Sequence, residues 1–127
     1  MGYRSDVGVA IYPGIGTDSE MCEELYNKLK LLLATTYKKV MDEYFGNDAT
    51  FDDVDKQVTF HIRDVKWYDS YPDVQAFMQM LNELGDGDLG NYGVEFVRMG
   101  EDYDDIDRQE WGDTSYRVDV RRELEFN

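Results

Sequence analysis

Apolar and polar positions alternate along the chain with two different periods, and the changes of period mark out its elements. Between residues 3 and 12, Val7, Val9 and Ile11 share one parity while Ser5, Asp6 and Gly8 sit among their neighbours. This period of two suits a half-buried strand that ends at Pro13-Gly14. Thr17, with Glu20 three positions later, has the form of a helix-opening capping box. From about Asp18 to Phe45 the period becomes helical, with Cys22, Leu25, Leu29, Leu32, Thr36, Val40 and Tyr44 near one face and Gly46-Asn47 as the stop. An acidic connection through Asp48, Asp52, Asp53 and Asp55 leads to a second strand, in which Val58, Phe60 and Ile62 alternate with Thr59, His61 and Arg63. Val65 and Trp67 then fall on the opposite parity from Ile62, which predicts a bulge or the strand's end.

Pro72 suits a first helical position, and Val74, Phe77, Met78, Leu81 and Leu84 follow at amphipathic spacing, with Gly85 as the expected stop. The segment from Gly85 to Gly93 reads as a loop. Tyr92, Val94 and Phe96 begin a third strand. The cleanest alternation in the chain, Tyr116, Val118, Val120, Arg122, Leu124 and Phe126, predicts a fourth, whose other parity is wholly polar. The order β-α-β-α-β-β predicts an α+β fold: a two-layer sandwich of a four-stranded, mostly antiparallel sheet with two helices on one face and the other face open. Residues 1–127 read as a single domain, without repeat, linker or low-complexity tract.

Composition changes this picture in one respect. The 127 residues carry 28 acids against 13 Lys and Arg, a formal charge of −15, although 42% hydrophobic and 14% aromatic content is ample for a core. Such a charge repels nucleic-acid phosphates and anionic lipid, so direct nucleic-acid or membrane binding is not expected and basic partners are favoured. Cys22 is the only cysteine, no stretch reaches membrane-spanning length, and the charged opening lacks a signal peptide's apolar run, so a cytosolic setting is expected.

The chemistry-bearing constellations resolve mostly into structural readings. Gly14-Ile15-Gly16-Thr17-Asp18-Ser19 resembles a dinucleotide-binding turn, but Ser19 stands where the last glycine belongs, and Asp18, Glu20, Glu23 and Glu24 would oppose a pyrophosphate. Read as a calcium loop from Asp102, the acidic run has Ile106, Asp107 and Asp113 at positions five, six and twelve, where an oxygen ligand, a glycine and a glutamate are needed. With 28 acids a close carboxylate pair arises without design, and His61 is the only histidine. A metal-dependent hydrolase is therefore the weakest reading; no catalytic residue, metal ligand or cofactor is nominated.

Two candidate surfaces remain. Glu101, Asp102, Asp104, Asp105, Asp107, Glu110 and Asp113 share their connection with a single base, Arg108, and are interleaved with Tyr103, Ile106 and Trp111. Acids that steer a basic partner beside an aromatic anchor suit a protein-binding loop, so Glu101, Asp102, Tyr103, Asp104, Asp105, Asp107, Glu110 and Trp111 form the candidate partner site. The competing reading is a solvated loop with Trp111 folded onto the core. Alternatively, His61, Arg63, Arg98, Arg117 and Arg121 share the polar sheet face and bind a nucleotide or other small anion. Cross-strand pairing with Glu95, Asp119 and Glu123 explains the same arginines. That polar face is either solvated or a homodimer interface.

The opening MGYRSDVGVAIYP, the segment FVRMGEDYDDID and the closing SYRVDVRRELEF resemble small acidic proteins encoded by tailed bacteriophages. The resemblance implies a protein in the host bacterial cytosol that acts on host machinery or host defence. Together with the charge, it gives the functional expectation: a non-enzymatic binding protein that inhibits a host protein bearing a basic surface.

Overall fold

Val7, Val9 and Ile11 are fully buried on one side of β1 (Ser5–Pro13). This is the central strand of the computed structural model, which describes residues 4–14, 18–45, 48–86, 92–101, 105–112, 118–120 and 124–126, with the last two segments and residues 44, 45 and 86 described by backbone alone. β1 is flanked by β3 (Gln57–Val65) and β4 (Tyr92–Gly100), with β2 (Ala49–Asp52) outside β3 and β5 (Ile106–Trp111) outside β4. Every pairing in this sheet is antiparallel. The α+β class is as expected, but the sheet has five strands rather than four, and the order of elements differs.

Both unforeseen strands lie in stretches read as acidic connections. In β5 neither parity is apolar, because Ile106 shares its side with Arg108 and Glu110 while Trp111 shares its side with Asp107 and Gln109. No alternation betrays such a strand; pairing with β4 alone makes it one. The predicted last strand is also corrected. Its alternation appears as two short strands, β6 (Val118–Val120) and β7 (Leu124–Phe126), which pair with each other in a separate sheet. A period of two fixes extended backbone but not which strand is the partner.

The long predicted helix is broken. α1 (Ser19–Ala34) is capped by Asp18, whose carboxylate accepts the Met21 amide at 2.8 Å, so the cap is not the expected Thr17, which lies outside the described residues. The helix ends at consecutive β-branched residues: Thr35 Oγ1 donates to the Leu31 carbonyl at 2.7 Å, and the Tyr37 amide reaches Leu32 O at 2.9 Å across a widened turn. A short α2 (Lys38–Val40) and a π turn (Met41–Phe45) follow. The buried stripe is Tyr26, Leu29, Leu33, Tyr37 and Val40, not the stripe through Leu25, Leu32 and Thr36. Two tyrosines carry it because each buries its ring and satisfies its hydroxyl at the rim: Tyr26 donates to Asp53 at 2.7 Å and Tyr37 to Glu83 at 3.1 Å.

α3 (Pro72–Asp86) buries Val74, Phe77, Met80, Leu81 and Leu84 close to the expected pattern. Gly85 does not stop it. The glycine is buried inside the helix, where a Cβ would overlap the Trp111 side chain of β5. α1 and α3 close one core with Val58, Phe60 and Ile62 of β3 and Tyr92, Val94 and Phe96 of β4. Phe77 meets Phe60 and Trp67 edge-on, at centroid distances of 5.1 and 5.8 Å.

The opposite face is not open as expected. Ala10 and Tyr12 of β1 and Glu95 and Val97 of β4 have the other parity, and all four are fully buried. Since β1 and β4 are interior strands, the β6–β7 pair that contacts both lies over a face, and the helices already occupy the first. Tertiary placement has thus covered the centre of a face whose sequence looked solvated.

The parity shift after Ile62 is a bulge, as expected. Ile62 pairs with Val7 and Val65 with Ser5, so Arg63 and Asp64 oppose Asp6 alone. Asp64 takes a positive φ of 52°, donates its amide to Asp6 Oδ1 at 2.8 Å and accepts Arg4 Nη1 at 3.0 Å.

Candidate functional site

Of the acids singled out in the sequence, Glu101, Asp105, Asp107 and Glu110 lie on the β4–β5 hairpin, whose turn is closed by a Gly100 amide bonded to Asp105 O at 2.8 Å. β5 is an edge strand, and among the described residues it pairs with β4 only. Because Gly100 and Asp105 form a hydrogen-bonded pair, alternation along the register points the backbone of Asp107, Gln109 and Trp111 toward β4. The backbone groups of Ile106, Arg108 and Glu110 therefore point outward, away from the sheet.

Two guanidinium groups organise the hairpin, one on each face. Arg98 shares the parity of Val94 and Phe96, which places it on the helix side, opposite Asp107 in the register. All five of its N–H donors are used. Nε and Nη2 donate to Asp107 Oδ2 at 2.9 and 2.7 Å, Nη2 and Nη1 to Asp105 at 2.6 and 3.2 Å, and Nη1 to Ser5 Oγ at 3.1 Å. These bonds hold the guanidinium's pKa above its ordinary value, with Asp105 the largest cause. Trp67, Tyr68 and Asp69 join Arg98, Asp105 and Asp107 around an open recess of ≈ 270 Å³.

On the other face, Arg108 Nη2 donates to Glu95 Oε1 at 2.8 Å, with Glu110 Oε2 at 3.7 Å from Nε. Glu95 is 0% exposed and also accepts the Tyr12 hydroxyl. This triad escaped the sequence reading, which took Glu95 for a member of an exposed ladder. The available signal was an acid alone in the otherwise apolar run Tyr92–Val97.

The partner-site residues are thus partly brought together. Glu101 is exposed and accepts the Arg4 amide at 3.0 Å. Asp105 and Asp107 share Arg98, Glu110 borders Arg108, and Trp111 packs against Gly85 and the core. Asp102, Tyr103 and Asp104 lie outside the described residues. The arginine face is corrected. Arg63 lies on the side of His61, with Nη2 3.4 Å from His61 Nδ1, so it and Arg98 are on opposite faces and do not share one ligand surface. Arg117 and Arg121 lie outside the described residues.

Among the described residues no group of three or more His, Cys, Asp or Glu is placed to hold a metal ion, and no helix is long and apolar enough to cross a membrane. Comparison of the chain with protein-family models, curated proteins and solved structures finds no match.

Proposed function

We propose that the chain is a non-enzymatic binding protein that captures a partner with a basic surface through the acidic β4–β5 hairpin. The observation that carries this reading is the placement of Glu101, Asp105, Asp107 and Glu110 along one edge of the sheet. Seven acids and two arginines occupy positions 95–111, so the two internal clusters leave the hairpin strongly negative. Arg98 orders two of the carboxylates without cancelling them, since one cation serves two acids. Fixed carboxylates attract a basic surface over long range and lose little side-chain entropy when it docks.

The resemblance to proteins of tailed bacteriophages makes a bacterial host protein the natural partner and its inhibition the consequence. A nucleic-acid-binding component of a defence system fits best, because carboxylates would occupy the place of phosphates. The test is affinity capture from bacterial lysate with the native chain and with a Glu101→Lys, Asp104→Lys, Glu110→Lys variant, checked for fold by circular dichroism. A specific host protein retained at low salt, released at high salt and absent from the variant supports the reading. Equal capture by the folded variant overturns it.

A further inference from the structure

Trp111 packs against Gly85 and the core, so the aromatic surface that meets the acidic hairpin comes from another element. The loop 66–71 between β3 and α3 brings Trp67, Tyr68 and Asp69 to Arg98, Asp105 and Asp107 of the hairpin, and these six line the open recess of ≈ 270 Å³. We propose that this recess takes a guanidinium side chain of the partner, an inference that rests on the function proposed above. It gives the hairpin's long-range attraction a place where one cation is held at contact distance.

Charge, acceptors and shape together select the occupant. Three carboxylates against one guanidinium leave the lining with a formal charge of −2, so an anion is repelled and a cation is drawn in despite Arg98. Arg98 Nε and Nη2 both donate to Asp107 Oδ2, and no described residue bonds Oδ1 of that carboxylate, which is 59% exposed. Asp69 is also exposed; Gln75 donates to its backbone carbonyl at 3.0 Å, and among the described residues its carboxylate accepts no hydrogen bond. Trp67 and Tyr68 add an aromatic wall. A planar guanidinium lies flat against such a wall while its fork of donors reaches carboxylates, whereas an ammonium is more strongly hydrated and has no fork.

The experiment titrates isotope-labelled native protein with Nα-acetyl-arginine methylamide and follows its resonances by NMR, beside the lysine and citrulline derivatives. Resonances of Trp67, Tyr68 and Asp69 move together and saturate with the arginine derivative. The lysine derivative binds more weakly, and citrulline, which keeps the shape without the charge, leaves them in place. Asp69→Asn weakens the arginine derivative by about threefold or more, the scale of one partly exposed charge pair, and keeps the circular dichroism spectrum. Asp69→Glu largely restores binding.

An equal response to citrulline, tighter binding of the lysine derivative, unchanged affinity in Asp69→Asn, or no binding at all overturns the inference. Shifts spread equally to the amides of Glu23 and Glu24, exposed acids on α1, overturn it as well, by showing attraction to charge anywhere on the surface. Lysate capture keeps the two readings apart. If the Glu101→Lys, Asp104→Lys, Glu110→Lys variant loses a host protein that Asp69→Lys retains, the recess is not its contact and the functional reading stands. If no host protein is captured while the recess still binds the arginine derivative, the functional reading fails and the guanidinium site stands.

Discussion

Arg98 and Arg108 sit ten residues apart on the two strands of one hairpin, each beside two carboxylates, yet they do different work. Arg98 is 14% exposed and its partners Asp105 and Asp107 reach solvent. Arg108 holds a Glu95 that is fully buried beneath the β6–β7 side of the sheet. The same pair of ionic groups is thus an ordering device in one setting and a structural necessity in the other. Burial, not chemistry, separates them: water solvates whatever Arg98 leaves behind, whereas a Glu95 without its cation remains an uncompensated charge in a low dielectric.

The sharpest way to break this comparison is to remove one member of the buried pair. Arg108→Ala should cost about 3–5 kcal/mol in urea unfolding, the range for stranding a buried charge. Restoring an apolar match with Glu95→Leu, Arg108→Met and Tyr12→Phe, the last because the Tyr12 hydroxyl donates to Glu95, should recover much of that loss. If Arg108→Ala costs no more than a surface substitution, the distinction between the two faces fails.

Alkali tests the neutral buried donors in the same way. Burial, with the Glu83 contact added, pushes the Tyr37 hydroxyl up to about 12, and burial alone does the same for Tyr92, which donates to Leu25 O at 2.7 Å. Both values lie above that of the unfolded chain, so the stabilisation is whole below pH 10 and is lost as pH rises toward 12. Melting temperature should fall steeply across that window, by the equivalent of a few kcal/mol, and Tyr37→Phe should flatten the fall.

Gly85→Ala probes how the hairpin is attached. The added methyl meets Trp111, and forcing β5 away from α3 should destabilise by about 1–3 kcal/mol. The solvent-side cluster should give less: Arg98→Ala costs about 1 kcal/mol, because Asp107 stays hydrated, but it should loosen Asp105 and Asp107 and weaken capture of a basic partner. The smallest effect belongs to the exposed Lys38–Asp42 pair on the helical segment, where Lys38→Ala should leave the urea midpoint close to that of the native chain. Thermal and urea unfolding of these variants together place each ion pair on one scale of burial.

Legibility in the sequence followed the same division. α3 was readable because Val74, Phe77, Leu81 and Leu84 repeat at helical spacing, and the bulge was readable because Val65 changes parity after Ile62. The break after Ala34 was not, since Thr35 and Thr36 end a helix only when a side chain competes for a backbone carbonyl, as Thr35 does. β5 was invisible because each of its two parities mixes one apolar residue with charged or polar ones, and a strand at the edge of the described sheet needs no apolar parity. The acids of the candidate site were legible as a cluster, but their arginine partners were not. Arg98 lies opposite Asp107, and Arg108 reaches Glu95, only once the hairpin register is set.

By itself, then, the sequence determined the α+β class, the antiparallel character of the sheet, its apolar face and a net charge that favours basic partners, because periodicity and charge are summed locally and survive any arrangement of the elements. Tertiary structure alone decided which acids are matched and which face solvent, that Glu95 is sealed inside, and that the acidic run forms an edge. Those outcomes depend on register and coverage, which arise from contacts between residues far apart in the chain.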